Sequence, residues 1–439
     1  MTATARARLV RAFAPQAIGR LAAGRTARVM AVRCLGLSAL FGFEVILARS
    51  LGINGYGTLS FALVVAGLVS RLAPLGWLNI TTRLVSAYAR LMEFGLLKGS
   101  LVLAHLAVVL GLGIASVVLV AALPGSVPGG GVTLTIVLAT GVALALLELH
   151  RHVLRGLHAG DLGEALVILL LPAIAAAVVY ILAIRDFATA GYAYAAVGFG
   201  LVALSGIAIA HRLPAEAWSS RAQFRVRDWS LAALALLLGG ASSEILTRTS
   251  VILLGVLGEQ DDVGLYHAAA RLALLNVFVL RALTPVAAPQ FSELYSAGLH
   301  AELRALFRRQ CILSFAGALP IFLVLSLYPR IVLDFFGAEF VAGEWLLRVL
   351  SIGYLASAAT GPCGTALMMI GRERAYACIT GTALVVGVAA NAVLIHHMGA
   401  LGAALASAAV LVFNNSLYLA AFLWATRQGP AGATARNPT

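Results

Sequence analysis

Residues 261–290 read DDVGLYHAAARLALLNVFVLRALTPVAAPQ, an acidic start followed by an apolar run long enough to cross a bilayer. Arg271 and Arg281 lie inside this run, and two prolines follow near its end. A charged side chain at the centre of a bilayer costs roughly 2.5–3.5 kcal/mol, so these arginines should face protein or a water-filled cavity. The stretch therefore predicts a membrane-spanning helix that carries functional charges.

The composition of the whole chain supports the same class. Of its 439 residues, 61% are hydrophobic and only 11% are charged, and the mean hydropathy is +0.96. A soluble protein of this size would need more polar surface, and β-barrel alternation is absent, so we predict an all-α polytopic membrane protein. About twelve spans fit the usual helix length, at 31–49, 57–80, 99–122, 131–149, 163–184, 189–210, 231–255, 265–288, 311–329, 341–367, 375–395 and 400–425.

The positions of Lys and Arg predict the orientation in the membrane. They occupy the N-terminal segment, the even-numbered loops and the tail, whereas Arg49, Arg185 and Arg330 are the few on the opposite side. By the positive-inside rule, both termini are cytoplasmic. The net charge of +13 is then mainly a topology signal. Nucleic acid is disfavoured as a partner, because the basic residues are spread over many segments without interleaved aromatics.

The N-terminal segment 1–30 is rich in Arg and Ala and lacks acids, as a transit peptide would be. An arm with an amphipathic helix on anionic headgroups explains it as well, and we favour this interpretation. No short cleavable signal peptide precedes the first span, which predicts an uncleaved protein of a bacterial inner membrane.

A basic linker near the middle of the chain, residues 211–230, predicts two halves of about six spans each. The halves are 31–210 and 231–425, followed by a cytoplasmic tail, 426–439. Weak repeats support the division, because LGINGYGTLSFA (51–62) and LGEQDDVGLYHAA (257–269) both join the first two spans of their half through a Gly-containing turn.

Several charged residues fall at membrane depth. The candidate residues of a cationic cavity are Arg71, Arg248, Arg271 and Arg281, and the candidate coupling or structural acids are Glu44 and Glu244. The excess of guanidinium groups suits an anionic head such as phosphate or pyrophosphate. We therefore predict a substrate-binding role for the four arginines.

Arg71 and Arg281 carry most of this argument. Neither has an acid three or four residues away, and a proline follows each, Pro74 and Pro285, which predicts a kink near the charge. Pairing across helices with Glu44 or Glu148 is the alternative. Glu244 and Arg248 are four residues apart, so a simple ion pair explains them equally well.

Neither a metal nor a cofactor is expected. His150, His152 and His158 lie in LHRHVLRGLH, but Cys or carboxylate at ligand spacing is absent, so we predict a solvated basic loop there. A nucleophile elbow, a Walker loop and a zinc motif are likewise absent, and the outer loops are too short for a catalytic domain. The sequence predicts that the protein is not an enzyme.

Six stretches resemble the O-antigen repeat-unit flippases, a polysaccharide biosynthesis family within the superfamily of the multidrug and toxin extruders. They are ARSLGINGYGTLSFALVVAGLVSRLAPLG (48–76), VGLYHAAARLALLNVFVLRALTPVAAPQFSELY (263–295), LRALFRRQ (303–310), FFGAEFVAGEWLLRVLSIGYL (335–355), LMMIGRERA (367–375) and MGALGAALASA (398–408). The resemblance implies two six-helix halves around a central cavity. It also implies alternating-access transfer of an undecaprenyl pyrophosphate-linked oligosaccharide to the periplasmic leaflet, for O-antigen, capsule or exopolysaccharide.

Two other functions stay open. A cation-coupled multidrug antiporter would depend on acids in the cavity, here Glu44 or Glu244, and the arginine excess disfavours it. A membrane glycosyltransferase, ligase or polymerase acting on the same lipid carriers would need a substantial outer loop. For the flippase, membrane lipids surround the protein, and a polysaccharide polymerase and glycosyltransferases are candidate protein partners.

Overall fold

A computed structural model describes residues 15–122 and 128–427, with side chains for 31–121 and 128–427; within these ranges the chain is helical without strands. The α-helices are α1 (Pro15–Leu72), α2 (Trp77–Leu91), α3 (Phe94–Ala122), α4 (Gly130–Gly156), α5 (Gly160–Glu164), α6 (Leu171–Ile181), α7 (Phe187–Ala210), α8 (Ala215–Ser219), α9 (Val226–Leu246), α10 (Thr249–Leu257), α11 (Gln260–Ala273), α12 (Phe278–Ser296), α13 (His300–Leu327), α14 (Pro329–Asp334), α15 (Glu344–Thr360), α16 (Cys363–Met369) and α17 (Glu373–Arg427). A π-helical segment, Ala165–Leu170, and two 3-10 segments, Leu274–Val277 and Ala338–Gly343, lie between them.

The prediction of an all-α polytopic membrane protein is confirmed. In the described part of the chain, ten helical stretches are long and apolar enough to cross a membrane by length and composition. Two of these stretches, Ala31–Leu72 and Glu373–Arg427, contain a non-helical glycine. The count of about twelve spans stays a prediction. The amphipathic character of the arm 1–30 concerns side chains outside the described residues.

The chain reverses direction at Gly52, where φ is 67°. This left-handed conformation is costly for residues with a Cβ atom, so glycine suits the position. Arg33 and Arg71 are equally far from Gly52 along the chain, yet they bond to neighbouring carboxylates, Glu164 and Glu148. The two arms of α1 therefore run antiparallel, and Gly52 replaces a loop between the first two predicted spans.

Several of the predicted spans are wrong in detail, and two of them bear on the candidate arginines. The span 57–80 stops at Leu72, and a turn with positive φ at Leu75 and Gly76 separates it from α2. Pro74 therefore lies beyond the end of the helix and does not kink it. The span 265–288 is interrupted by the 3-10 segment Leu274–Val277, so Arg271 and Arg281 are not on one straight helix.

The helices α1 and α11 approach each other through glycines. A Cβ atom on Gly57 would lie 2.1 Å from the carbonyl oxygen of Gln260, and one on Gly264 would lie 2.5 Å from that of Ile53. Small residues at such positions let two backbones touch, and the resulting van der Waals packing is one of the forces that associate helices in a membrane. This contact holds residues 31–210 against residues 231–427.

A methyl group at Gly57 should weaken this contact. We expect Gly57→Ala to lower the free energy of unfolding by about 1–3 kcal/mol, because the backbone of Gln260 cannot move aside as a flexible side chain would. The measurement is the midpoint of thermal unfolding in lipid nanodiscs. Gly42→Ala, on the same helix with nothing within 4 Å of the added atom, is the control and should leave the midpoint unchanged. Equal midpoints for the two variants would contradict the packing argument.

The two ends of the bundle differ in how they are held together. The end that carries Gly52, here named the bend end, holds hydrogen bonds between residues 31–210 and 231–427. Arg49 Nε donates to Phe335 O (2.8 Å), the Ile53 N–H donates to Glu339 Oε2 (3.1 Å), and Asn54 Nδ2 donates to Asp261 Oδ1 (3.0 Å). These connections are concentrated on residues 44–58. The opposite end, which carries Arg71, is named the basic end.

The segment 211–230 is attached to the surface of the first part of the chain. Lys98 Nζ donates to the carbonyl oxygens of Trp218 (2.7 Å) and Ser220 (3.2 Å). The Gln223 N–H donates to Gly95 O at 2.9 Å, and Trp229 Nε1 donates to the Tyr88 hydroxyl at 3.1 Å. The segment thus leads directly from α7 into α9 along α2 and α3.

Candidate functional site

At the basic end, four arginines surround two buried glutamates. Glu148 on α4 bonds Arg71 (3.1 Å) and Arg151 (2.6 Å). Glu164 on α5 bonds Arg155 (2.6 Å), Arg33 (3.4 Å) and, more distantly, Arg151 (3.8 Å). We name these six residues the basic cluster. Its arginines outnumber its carboxylates two to one, so it carries a surplus of positive charge.

Arg71 fits part of each interpretation that the sequence left open, an ion pair across helices and an arginine that binds an anion. It pairs with Glu148 across helices, as the alternative interpretation expected, yet 32% of its side chain stays exposed, against 7% for Glu148. Since Glu148 also keeps Arg151 at 2.6 Å, the carboxylate does not depend on Arg71 for its charge balance. Arg71 can therefore turn to an external anion without leaving a buried acid unpaired.

A second cluster joins the two parts of the chain near the bend end. Arg271 Nε lies 2.8 Å from Glu44 Oε1 and also donates to His267 Nε2 at 3.2 Å. The Tyr56 hydroxyl donates to the other Glu44 oxygen at 2.9 Å. Glu44 is buried, whereas Arg271 keeps 33% of its side chain exposed. We name Glu44, Tyr56, His267 and Arg271 the Glu44 cluster.

The ion pair between Glu244 and Arg248 is present, with Arg248 Nη1 at 2.6 Å from Glu244 Oε2. Arg248 occupies the break between α9 and α10, and its Nη1 also donates to the carbonyl oxygen of Glu244 at 2.9 Å. Its Nε would lie 3.8 Å from a Cβ atom on Gly67, one helical turn before Arg71. The structure thus brings Arg248 against the helix that carries Arg71.

Arg281 on α12 has neither an ion pair nor a hydrogen bond among the residues that the structure describes. It interacts electrostatically with the Tyr354 hydroxyl, as Arg271 does. The two arginines of the opening stretch therefore both lie within electrostatic range of Tyr354, although a 3-10 segment separates them. A single cavity lined by Arg71, Arg248, Arg271 and Arg281 together stays a prediction.

These arrangements can bind and release an anion. Guanidinium groups present fixed pairs of N–H donors that match phosphate oxygens, and they stay charged at every relevant pH. A group of three or more His, Cys, Asp or Glu side chains able to hold a metal does not occur in residues 15–122 and 128–427. The positive charge of both clusters comes from arginine side chains.

Sequence reasoning missed several members of these clusters. Arg151 and His267 could have been found, because they lie three residues after Glu148 and four residues before Arg271, the spacing of neighbours on a helix face. Tyr56 and Glu164 left no such signal, since Glu44 lies on the other arm of α1 and the arginines around Glu164 come from other helices.

The prediction of a solvated loop around His150 and His152 is wrong. The helix α4 continues to Gly156, so both side chains are helical and buried, with 8% and 5% of each residue exposed. His158 follows the helix and is exposed, as predicted. The error arose because the predicted span ended at residue 149, seven residues before the end of the helix.

Comparison with protein families gives one clear result. The family model described as polysaccharide biosynthesis protein matches residues 29–295. A curated relative, the probable low-salt glycan biosynthesis flippase Agl15 of Haloferax volcanii, is 23% identical over 177 residues. That match covers 39% of this chain and 38% of the relative, so the chain spans well under half of the relative's length in it.

Solved structures share the fold. An inward-facing multidrug resistance MATE family transporter of the MOP superfamily has a TM-score of 0.71 at 14% identity, with 89% of this chain and 94% of that chain covered. The lipid II flippase MurJ, in an inward closed conformation, has a TM-score of 0.68 at 11% identity, with 92% and 87% covered. At these identities the likeness establishes the architecture alone.

Proposed function

The chain belongs to the polysaccharide biosynthesis protein family, and from this premise we propose that it is a flippase for lipid-linked oligosaccharides. The proposed substrate is an oligosaccharide on undecaprenyl pyrophosphate, moved from the cytoplasmic to the periplasmic leaflet for a polysaccharide such as O-antigen, capsule or exopolysaccharide. On this proposal the protein is a transporter and catalyses no covalent step. The flippase relative and the flippase with the same fold support the assignment.

The observation that carries the proposal is the surplus of arginine in the basic cluster. A pyrophosphate carries at least two negative charges, and four guanidinium groups against two carboxylates leave two positive charges to meet them. Arg71 is partly exposed and Arg248 lies one turn away, so both would bind the headgroup first. Arg271 and Arg281 would receive it deeper in the molecule.

We propose that the two halves 31–210 and 231–425 alternate between two arrangements, with the linker 211–230 between them. The hydrogen bonds of the bend end hold that end closed, while the arginines of the basic end remain partly exposed. This arrangement would admit the substrate at the basic end. With both termini in the cytoplasm of a bacterial cell, the basic end is the cytoplasmic one.

Arg271 would connect substrate binding to the change of arrangement. It is bound to Glu44 across the two halves, and a pyrophosphate near Arg281 and Tyr354 would compete with Glu44 for the same guanidinium group. Transfer of Arg271 to the substrate would remove the ion pair that closes the bend end. A ligand shifts such an equilibrium only through different contacts in the two states, and this exchange supplies the difference.

The second candidate function is a cation-coupled multidrug antiporter, which the fold shared with a multidrug transporter keeps open. It would need a free acid, and the two candidates, Glu44 and Glu244, are each paired with an arginine. Paired carboxylates attract a cation less, so the geometry favours the flippase. For the flippase, in contrast, a polysaccharide polymerase and glycosyltransferases would be the protein partners at the membrane.

Mass spectrometry of the lipid-linked oligosaccharides from cells depleted of the protein tests the function. We expect a completed repeat unit on its pyrophosphate carrier to accumulate and to disappear when the intact gene is restored. The restoring gene with Glu44→Gln and Glu244→Gln, assayed for drug resistance, is the matched test of the antiporter. Absence of accumulation, in cells that assemble such units and lack another flippase, would reject the proposal.

A further inference from the structure

Two imidazole rings face each other in the first half. His105 on α3 and His150 on α4 have their Nε2 atoms 3.4 Å apart. His150 is buried and His105 is half-buried. Ser205 on α7 completes the group, with its Oγ 2.7 Å from His150 Nδ1. Three helices thus contribute one side chain each, and none of the three belongs to the basic cluster or to the Glu44 cluster.

The hydrogen bonds of His105 Nδ1 and of the Ser205 hydroxyl restrict which nitrogen atoms of the group can carry a proton. His105 Nδ1 lies 2.8 Å from the Leu101 carbonyl oxygen, which can only accept, so Nδ1 carries a proton and Nε2 of a neutral ring is bare. Ser205 has one hydroxyl proton and two acceptors, His150 Nδ1 and the Val202 carbonyl oxygen at 2.8 Å. The acceptor to which Ser205 donates decides whether Nδ1 of His150 carries a proton.

Two complete arrangements follow, and they differ by one proton. In the first, Ser205 donates to His150 Nδ1, and His150 Nε2–H donates to the bare Nε2 of His105. In the second, Ser205 donates to Val202, and His150 Nδ1–H donates to Ser205. Both Nε2 atoms would then be bare and facing, which is repulsive unless an added proton lies between them. No bond other than N–H bonds forms or breaks.

We propose that His105, His150 and Ser205 form a binding site for a single proton. A second proton is excluded, because two imidazolium rings would then face each other at hydrogen-bond distance with little water between them. Only the direction of the Ser205 hydroxyl changes when the proton enters, so the helices need not move. The site itself does not depend on the proposed transport function.

Both rings line a cavity of about 470 Å³ with a mostly apolar wall. On this proposal, protons would enter the pair from this cavity. Lys98 and Trp218 line the same cavity, and Lys98 is the one charged residue in its wall. Its ammonium group is held by backbone carbonyls, and Glu216 precedes the wall residues of α8. The helix α7 contributes no charged side chain between residues 187 and 210.

The remaining charged neighbours are on α4 itself. Glu148 and Arg151 flank His150 and are bound to each other, and Glu148 also bonds Arg71. A proton on the pair therefore adds one positive charge to the helix turn that holds the basic cluster. If the basic cluster binds an anion as proposed, the proton site would raise its affinity as the pH falls.

Nitrogen NMR of the full-length protein in lipid nanodiscs, with labelled histidine, tests the site between pH 4 and pH 9. We expect the signals of His105 and His150 to change together in one step that takes up one proton. His150→Gln should lower the midpoint of His105 by at least one pH unit, since an amide donates to Nε2 without sharing a proton. His158→Gln, an exposed histidine after the same helix, should leave the common step unchanged.

Two results would overturn the proposal: separate steps for the two rings that together take up two protons, or no change of either ring over this range. Should His150→Gln fail to insert, Ser205→Ala with the same readout replaces it. Removing the hydroxyl should shift the common midpoint, whereas an unchanged midpoint would count against the assigned hydrogen bonds. Because the readout involves no transport, its failure leaves the flippase proposal untouched.

Discussion

Replacing Arg71 and Arg281 together by alanine should reduce translocation of the lipid-linked oligosaccharide at least about 100-fold. A hydrogen bond to a charged group contributes about 1.5–3 kcal/mol, so the loss of two such contacts to a pyrophosphate removes roughly 3 kcal/mol or more. The measurement is the amount of carrier-linked oligosaccharide that accumulates in cells whose only copy carries both changes. Each single variant should have an intermediate effect.

The structure indicates that this variant will still fold. Glu148 retains Arg151 after Arg71 is removed, and Arg281 has no partner among the described residues whose charge would be left unbalanced. The matched control is the double variant Arg308→Ala and Arg309→Ala, which removes two exposed arginines from α13 at the same end. Full activity of the Arg71/Arg281 variant, or an equal loss in the control, would reject the proposed headgroup site.

Changing Glu44 to glutamine should open the bend end. The change leaves Arg271 without its carboxylate in the closed arrangement, and breaking a buried ion pair costs about 3–5 kcal/mol. Because a third of the Arg271 side chain is exposed, solvent will screen part of this cost, and we take the lower value. About 3 kcal/mol shifts the equilibrium between closed and open arrangements roughly 100-fold.

Labelling of a cysteine at Ala48, a buried residue one turn after Glu44, with a membrane-impermeant maleimide measures this shift, in a protein whose four native cysteines are replaced. We expect faster labelling when Glu44→Gln is present. Glu339→Gln is the control, since a glutamine oxygen can still accept the hydrogen bond from the Ile53 N–H. If the two variants label at the same rate, the Glu44 cluster does not close the bend end.

The sequence predicted the class of the fold, because that class depends on local composition. It also predicted the Glu244–Arg248 pair, whose members are neighbours on one helix. The partners of Arg71 and Arg271 come from distant parts of the chain, Glu148 and Glu44, and depend on how helices pack. The sequence offered pairing with Glu44 or Glu148 as an alternative, but it could not assign either acid to a particular arginine.

Two local features left no readable pattern. The 3-10 segment Leu274–Val277 contains neither Gly nor Pro, so nothing in LLNV separates it from the surrounding helix. The basic residues of HRHVLRG predict a loop, although α4 continues through them. In the structure Glu148 and Glu164 bind the two arginines of this stretch. Polar residues at the end of an apolar run can thus belong to the helix when partners from other helices meet them.

The attachment of residues 218–229 to α2 and α3 changes what this connection can do. A free chain of that length would let the two halves move independently, and the effective concentration of one half near the other would depend on the length of the connection. Here Lys98, Gly95 and Tyr88 fix it at three points, so α9 begins from a stationary position on the first half. The connection acts as a pivot and not as a tether, and residues inserted between the fixed points should leave the axis of motion where it is.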